Sequence, residues 1–200
     1  MLPVDSPFPP IALCADAEAA PFQFENSRKF LQCWRDHCSG KELPRADRLN
    51  LGAMKSLLPE LLIYDVIDAA TIRFRLAGTM VVKRMGFEPR GMNMIDLTPP
   101  RIRNQVGLAF TVIAQHHIGI LSHYSHVYEG ARPGRIEMLM LPLAAPVDQP
   151  PRVMTLVSRE AYEGHAPFGL EQTADQIDDV TLMDIGFGLP DLGSLLAKAA

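Results

Sequence analysis

A chain of 200 residues has the size of one domain with room for tails. It carries 19 basic and 23 acidic side chains, a formal net charge of −4, and 48% of its residues are hydrophobic. That balance counts against nonspecific nucleic-acid binding and against disorder, and no apolar run reaches the ~20 residues that span a bilayer.

Five of the 17 prolines fall in the first 21 residues, so residues 1–25 read as an extended arm without a core of its own. Its Ile11-Ala12-Leu13-Cys14 is a poor lipoprotein cleavage box: Leu13 stands where a small residue is wanted, and no basic leader precedes it. Cys14, Cys33 and Cys38 leave one thiol over in any disulfide scheme. Both features point to the cytoplasm. Asn26 or Ser27 caps a predicted helix with Phe30, Leu31, Trp34 and Cys38 at helical spacing, and Gly40 stops it. Asn50 introduces a short helix with Leu51, Met54 and Leu58 on its apolar side, ending at Pro59.

From Leu61 the period changes to two. Leu61–Ile67 is a predicted strand, and Ile72, Phe74 and Leu76 alternate with Arg73 and Arg75 in another, joined to it by a short hairpin turn. Residues 80–98 have the glycines and proline of short helices and turns. Pro99-Pro100 then opens a long helix whose stripe is Ile102, Val106, Ala109, Phe110 and Ile113; it runs to His117, with Gly119 as terminator. Three strands follow, at Ile120–Tyr128, Arg135–Leu143 and Arg152–Tyr162, with loops too short for crossover helices. The order predicts an α+β domain over residues 26–162, with an antiparallel sheet covered on one face by the middle helices. Residues 163–200 form an acidic tail in which Asp175, Asp178 and Asp179 read as a solvated helix face. Its Leu182, Met183 and Ile185 make an apolar patch, and Leu192, Leu195 and Leu196 an amphipathic end-helix.

The joints of this plan carry a resemblance. Tyr64-Asp65-Val66, Phe74-Arg75-Leu76-Ala77-Gly78-Thr79 and Gly86-Phe87-Glu88-Pro89-Arg90-Gly91, leading to Asp96-Leu97, resemble the early core of a PAS domain. Leu31 to Trp34, Leu43-Pro44-Arg45-Ala46-Asp47, Leu58-Pro59 and Leu141-Pro142-Leu143 are similar to one bacterial subfamily of stand-alone PAS proteins. The resemblance covers roughly residues 27–162. It implies a PAS-like five-stranded antiparallel sheet, with short helices and one long helix covering one face and an N-terminal flanking helix on the other. It also implies a sensor of small molecules, or a docking module. The 38 residues after Tyr162 are too few for a catalytic output domain, so the expected partner is a separate signalling protein such as a kinase or regulator.

The chemistry-bearing residues are few. Flavin- and pigment-attaching PAS proteins use a mid-core cysteine, whereas all three cysteines here precede the first core strand, which argues against a covalent photosensor. Haem-binding PAS sensors hold iron through a histidine on the long helix, so the resemblance makes His117 the alternative cofactor ligand. His123 and His126 are three apart on one strand and point to opposite faces, and Cys33 with His37 lacks a third ligand, so no metal is expected. Without a nucleophile elbow, a zinc-protease motif or a P-loop, an enzyme on another α+β fold is the remote reading; Gly186-Phe187-Gly188 is half a dinucleotide fingerprint that follows no predicted strand. The expected cavity takes a small apolar or amphipathic molecule among Phe74, Phe110, Ile113, Met138 and Met140, with Tyr124 as polar handle. Arg73 and Arg75 have the parity opposite to Phe74, and a short hairpin places Asp65 beside them on the outer face. Together with Phe30 and Trp34 they form the expected homodimer surface.

Overall fold

The structure is a computed structural model that describes residues 9–126, 134–160 and 177–191, with backbone alone at Ser125, His126 and Gly134. Its centre is one sheet whose strands, in chain order, are β1 (Ile11–Cys14), β2 (Leu61–Asp68), β3 (Thr71–Ala77), β4 (Gly119–His126), β5 (Gly134–Leu143), β6 (Arg152–Arg159) and β7 (Asp179–Met183). They lie side by side as β1-β7-β4-β5-β6-β2-β3. Five of the seven are the predicted antiparallel strands. The five-strand count needs correction, because β7 adds to β4 antiparallel and β1 adds to β7 in parallel.

Both added strands correct the reading of the ends. Residues 1–25 are not a coreless arm throughout: after β1, Ala17 and Ala20 are buried, and the Ala17 N–H donates to the Asp184 carbonyl at 3.2 Å. Asp179 starts a strand rather than a solvated helix face. The proposed end-helix at Leu192, Leu195 and Leu196 lies outside the described residues.

Two layers of helix cover the sheet. On the outer face, α1 (Glu25–Arg35) lays Phe30, Leu31 and Trp34 on Leu121, Leu139, Leu141, Met154 and Leu156. Its predicted cap, Ser27, sits inside the helix instead and shares a 2.9 Å hydrogen bond with Ser158. The helix expected over 51–58 is a run of turns ending in the 3-10 turn Leu58–Glu60, although Met54 and Leu57 are buried as that pattern requires. On the inner face lie α2 (Thr79–Met85), α3 (Met94–Leu97) and α4 (Arg103–His116). With Phe110, Val112 and Ile113 they pack on Leu62, Tyr64, Ile72, Phe74 and Ile120. Burial on both faces explains why β2 is apolar at both parities.

Two glycines set the position of α4. A Cβ on Gly107 would stand 2.1 Å from the Ala69 carbonyl oxygen, so only glycine lets the helix approach the β2–β3 turn this closely. Gly119 is not the terminator of α4. His117 ends the helix in the left-handed region, φ 53°, with its N–H on the Ile113 carbonyl at 3.0 Å. Gly119 opens β4, where a Cβ would meet Met183 at 2.8 Å. No helix among the described residues is long and apolar enough to cross a membrane.

Candidate functional site

The middle of the inner face is filled by aromatic rings. Tyr64 lies 4.9 Å from Phe74 and meets Phe110 edge-on at 5.0 Å. Towards the β1 end of the sheet the side chains shorten, with Ala109 on α4 and Ser122 on β4. There a cavity of about 100 Å³ opens between the helix and strands β5, β4, β7 and β1. Its walls include Ile11, Val106, Phe110, Ile120, Met138, Met140, Val180 and Leu182. Pro9 and Ile177, which border it, adjoin stretches outside the described residues.

Of the expected ligand residues, Phe110, Met138 and Met140 line this cavity, while Phe74 and Ile113 are packed into the filled core beside it. The polar residues on the wall are Ser122 and Gln105, not Tyr124. Ser122 is 3% exposed, and its hydroxyl has no hydrogen-bond partner. A small hydroxyl residue between Ile120 and Tyr124 at their parity was a visible signal, but the register that gives it meaning comes from Ser122 pairing with Met138 on one side and Val180 on the other.

His117 stands elsewhere. It lines a separate cleft of about 400 Å³ with Lys41, Arg45, Arg152 and Phe187, and its ring meets Phe187 edge-on at 5.5 Å. The haem reading therefore has its histidine outside the apolar cavity that was to hold the macrocycle. The Gly186-Phe187-Gly188 run does follow a strand, β7, but its three N–H groups donate to Oδ1 of Asp184 at 2.8, 3.0 and 2.9 Å. Those N–H bonds, from Gly186 foremost, hold the Asp184 carboxyl below the usual carboxylate range and leave no open cradle for a phosphate. His37 accepts the Asn50 N–H at 3.0 Å through Nε2, and its Nδ1 lies 2.7 Å from the Cys33 carbonyl oxygen. Nδ1 therefore carries the proton, and the ring ties α1 to the following loop rather than forming a metal pair with the Cys33 thiol.

Directly behind the cavity, on the outer face, runs a polar row that the sequence reading did not assemble. His123 faces Glu137 on one neighbouring strand and Asp179 on the other, and Glu137 faces Ser158. Nδ1 of His123 lies 2.8 Å from Asp179, and Nε2 lies 3.0 Å from Glu137. Carboxylates only accept, so both ring nitrogens must carry protons, and the imidazolium is the form that fits. Burial works against that charge, but the hydrogen bonds and charges of Asp179 and Glu137 outweigh it and raise the His123 pKa above 6.5. Glu137, 0% exposed, also accepts the Gln23 N–H at 2.6 Å, while its Oε1 has no partner. The visible signal was a glutamate between Ile136 and Met138, in a strand that is apolar on both faces from Met138 to Leu143.

The expected interface divides in two. Phe30 and Trp34 are both 0% exposed within their own chain, and the Trp34 indole N–H donates to the Pro142 carbonyl at 2.8 Å. They cover the sheet in cis and present nothing to a second copy. Arg73 and Arg75 are exposed on the outer face as expected, with Arg75 3.5 Å from Asp65 and Arg73 paired with it in register. Asp65 also accepts from Nε of Arg152 at 2.9 Å.

A search of curated proteins finds no match. Among solved structures, one described as the structure of the PAS domain from Bordetella pertussis BvgS is similar at 13% identity and a TM-score of 0.40, over 56% of this chain and 88% of that one. A family description, PAS domain, matches residues 23–158, the stretch from the start of α1 almost to the end of β6. β1 and β7, which complete the cavity, lie outside that match. Because the match takes in well over half of the sequence, the chain belongs to the PAS-domain family, whose members are generally sensory or signalling modules.

Proposed function

We propose that this chain is a non-enzymatic sensory PAS module that takes a small apolar or amphipathic molecule into the cavity under α4 and passes its state to a signalling protein such as a kinase or regulator. The observation that carries this reading is the cavity itself: apolar walls from five elements around one buried hydroxyl. Alternation along the strands supplies the link outward. Ser122, Met138 and Val180 border the cavity, while His123, Glu137 and Asp179 beside them belong to the outer row. A ligand that favours one position of these strands thereby biases the segment around Gln23 and α1. Arg73 and Arg75 are the proposed part of the partner or dimer surface. The three free cysteines suit a cytoplasmic setting.

Toluene is a direct probe. It is expected to raise the melting temperature of the wild type by mass action. Ala109→Leu, which fills the space, is expected to abolish that rise while leaving the protein folded. A wild-type melting temperature indifferent to saturating toluene would remove the sensor reading.

A further inference from the structure

We infer that the cavity selects neutral molecules of about six or seven heavy atoms bearing one hydrogen-bonding atom, phenols being the fitting chemistry, and that Ser122 makes the selection. The inference rests on the cavity reading above and goes beyond it in naming the ligand class. Three independent observations lead to it.

The first is size. About 100 Å³ is somewhat less than the ~150 Å³ of a dry apolar cavity that holds benzene. Met138, half-buried on the wall, has a flexible thioether that yields the remaining room.

The second is charge. Among the described residues, no Asp, Glu, Lys, Arg or His lines the space. An ionised ligand would lose its water and meet no counter-charge, which is strongly unfavourable.

The third is the hydroxyl. Among the described residues, two buried hydroxyls on the inner face lack partners, those of Ser122 and Thr155. Thr155 is flanked by Met140 and Leu62 and does not border the cavity, whereas Ser122 does. The cross-strand neighbours of Ser122, Met138 and Val180, offer it no partner. Gln105, the other polar side chain on the wall, already has an interaction of its own. A serine hydroxyl both donates and accepts, so a phenolic or alcoholic oxygen satisfies it from either side. Making such a bond to a buried, otherwise unpaired group is worth between about twofold and tenfold in affinity.

Phenol and toluene have the same shape and differ by a hydroxyl for a methyl; benzoate adds a charge together with extra bulk. A titration of each, followed by protein amide and methyl NMR shifts, tests the inference on the full chain. Phenol is expected to shift Ile120, Ser122, Met138, Met140 and Val180 and to bind about twofold to tenfold more tightly than toluene, with benzoate weakest. Ser122→Ala, which leaves the phenol hydroxyl buried without this partner, is expected to bring phenol to or below the level of toluene without changing toluene, and Ser122→Thr to keep the preference. Equal binding of phenol and toluene to the wild type, or a preference that survives Ser122→Ala, overturns the role of Ser122 while the cavity reading stands. Benzoate binding most tightly overturns the neutral-ligand class. Failure of both neutral probes to shift these residues overturns the cavity reading and the inference together.

Discussion

Glu137 is a carboxylate with no exposure to solvent, and it persists there because a proton-bearing histidine and a backbone N–H both point at it. Removing one partner of such a buried pair leaves a charge without compensation, typically at a cost of about 3–5 kcal/mol. Glu137→Ala removes the carboxylate and leaves the buried imidazolium only Asp179, 46% exposed, as partner. It is therefore expected to destabilise at the low end of that range, measured by urea denaturation. The same row makes stability depend on pH. The folded state raises the His123 pKa above 6.5, so it holds the proton more tightly than the unfolded chain does. The stability this contributes is complete below about pH 6.5 and is lost as pH rises through the folded pKa. The melting temperature is expected to fall across that window, and His123→Gln is expected to flatten this part of the profile. A wild-type profile with no decline there would mean that the imidazolium does not bridge the two carboxylates.

Among the elements, α4 is the one on which the cavity depends most, since it supplies the roof, and Gly107 fixes its height above the sheet. In an exposed helix, alanine in place of glycine gains up to ~1 kcal/mol. Here the new methyl group would collide with backbone, the Ala69 carbonyl oxygen, which has no rotamer to move. Gly107→Ala is therefore expected to destabilise by about 1–3 kcal/mol despite its better propensity, and to shift the NMR signals of Val106, Ala109 and Phe110 on the roof. The elements also show where the sequence was readable. β2 to β6 and α4 could be recognised because each carries its period over seven or more residues. β1 has four residues and β7 five, and the acids Asp178 and Asp179 made the latter look solvated; its strand character comes from pairing with β4. The cavity inherits that gap. Phe110, Met138 and Met140 were legible from patterns on their own elements, while Ile11, Val180 and Leu182 enter through those short strands. Ser122 and His123 needed the register against β5 and β7, which the periodicity of β4 alone does not fix.

At the scale of the whole molecule, the sheet is shared property. Leu121, Leu139 and Leu141 belong to the outer core under α1, and Ile120 and Met140, on the same strands, belong to the inner core under α4. Among the described residues neither layer has a second sheet to rest on, so loss of β4 or β5 removes the support of both cores. The single tryptophan, Trp34, is buried in the outer core, and its indole bonds to Pro142. Its fluorescence therefore reports the outer layer alone, whereas far-ultraviolet circular dichroism reports the sheet and helices together. In urea the two signals are expected to change at one midpoint with one slope, as two-state unfolding requires. Toluene, bound on the opposite face, is expected to move both midpoints equally. If Trp34 becomes exposed at lower urea than the dichroism change, the layer formed by α1 opens as a unit of its own. A ligand that then shifted only the later transition would show that the two faces of the sheet are not energetically joined, and outward signalling through the His123 row would lose its physical basis.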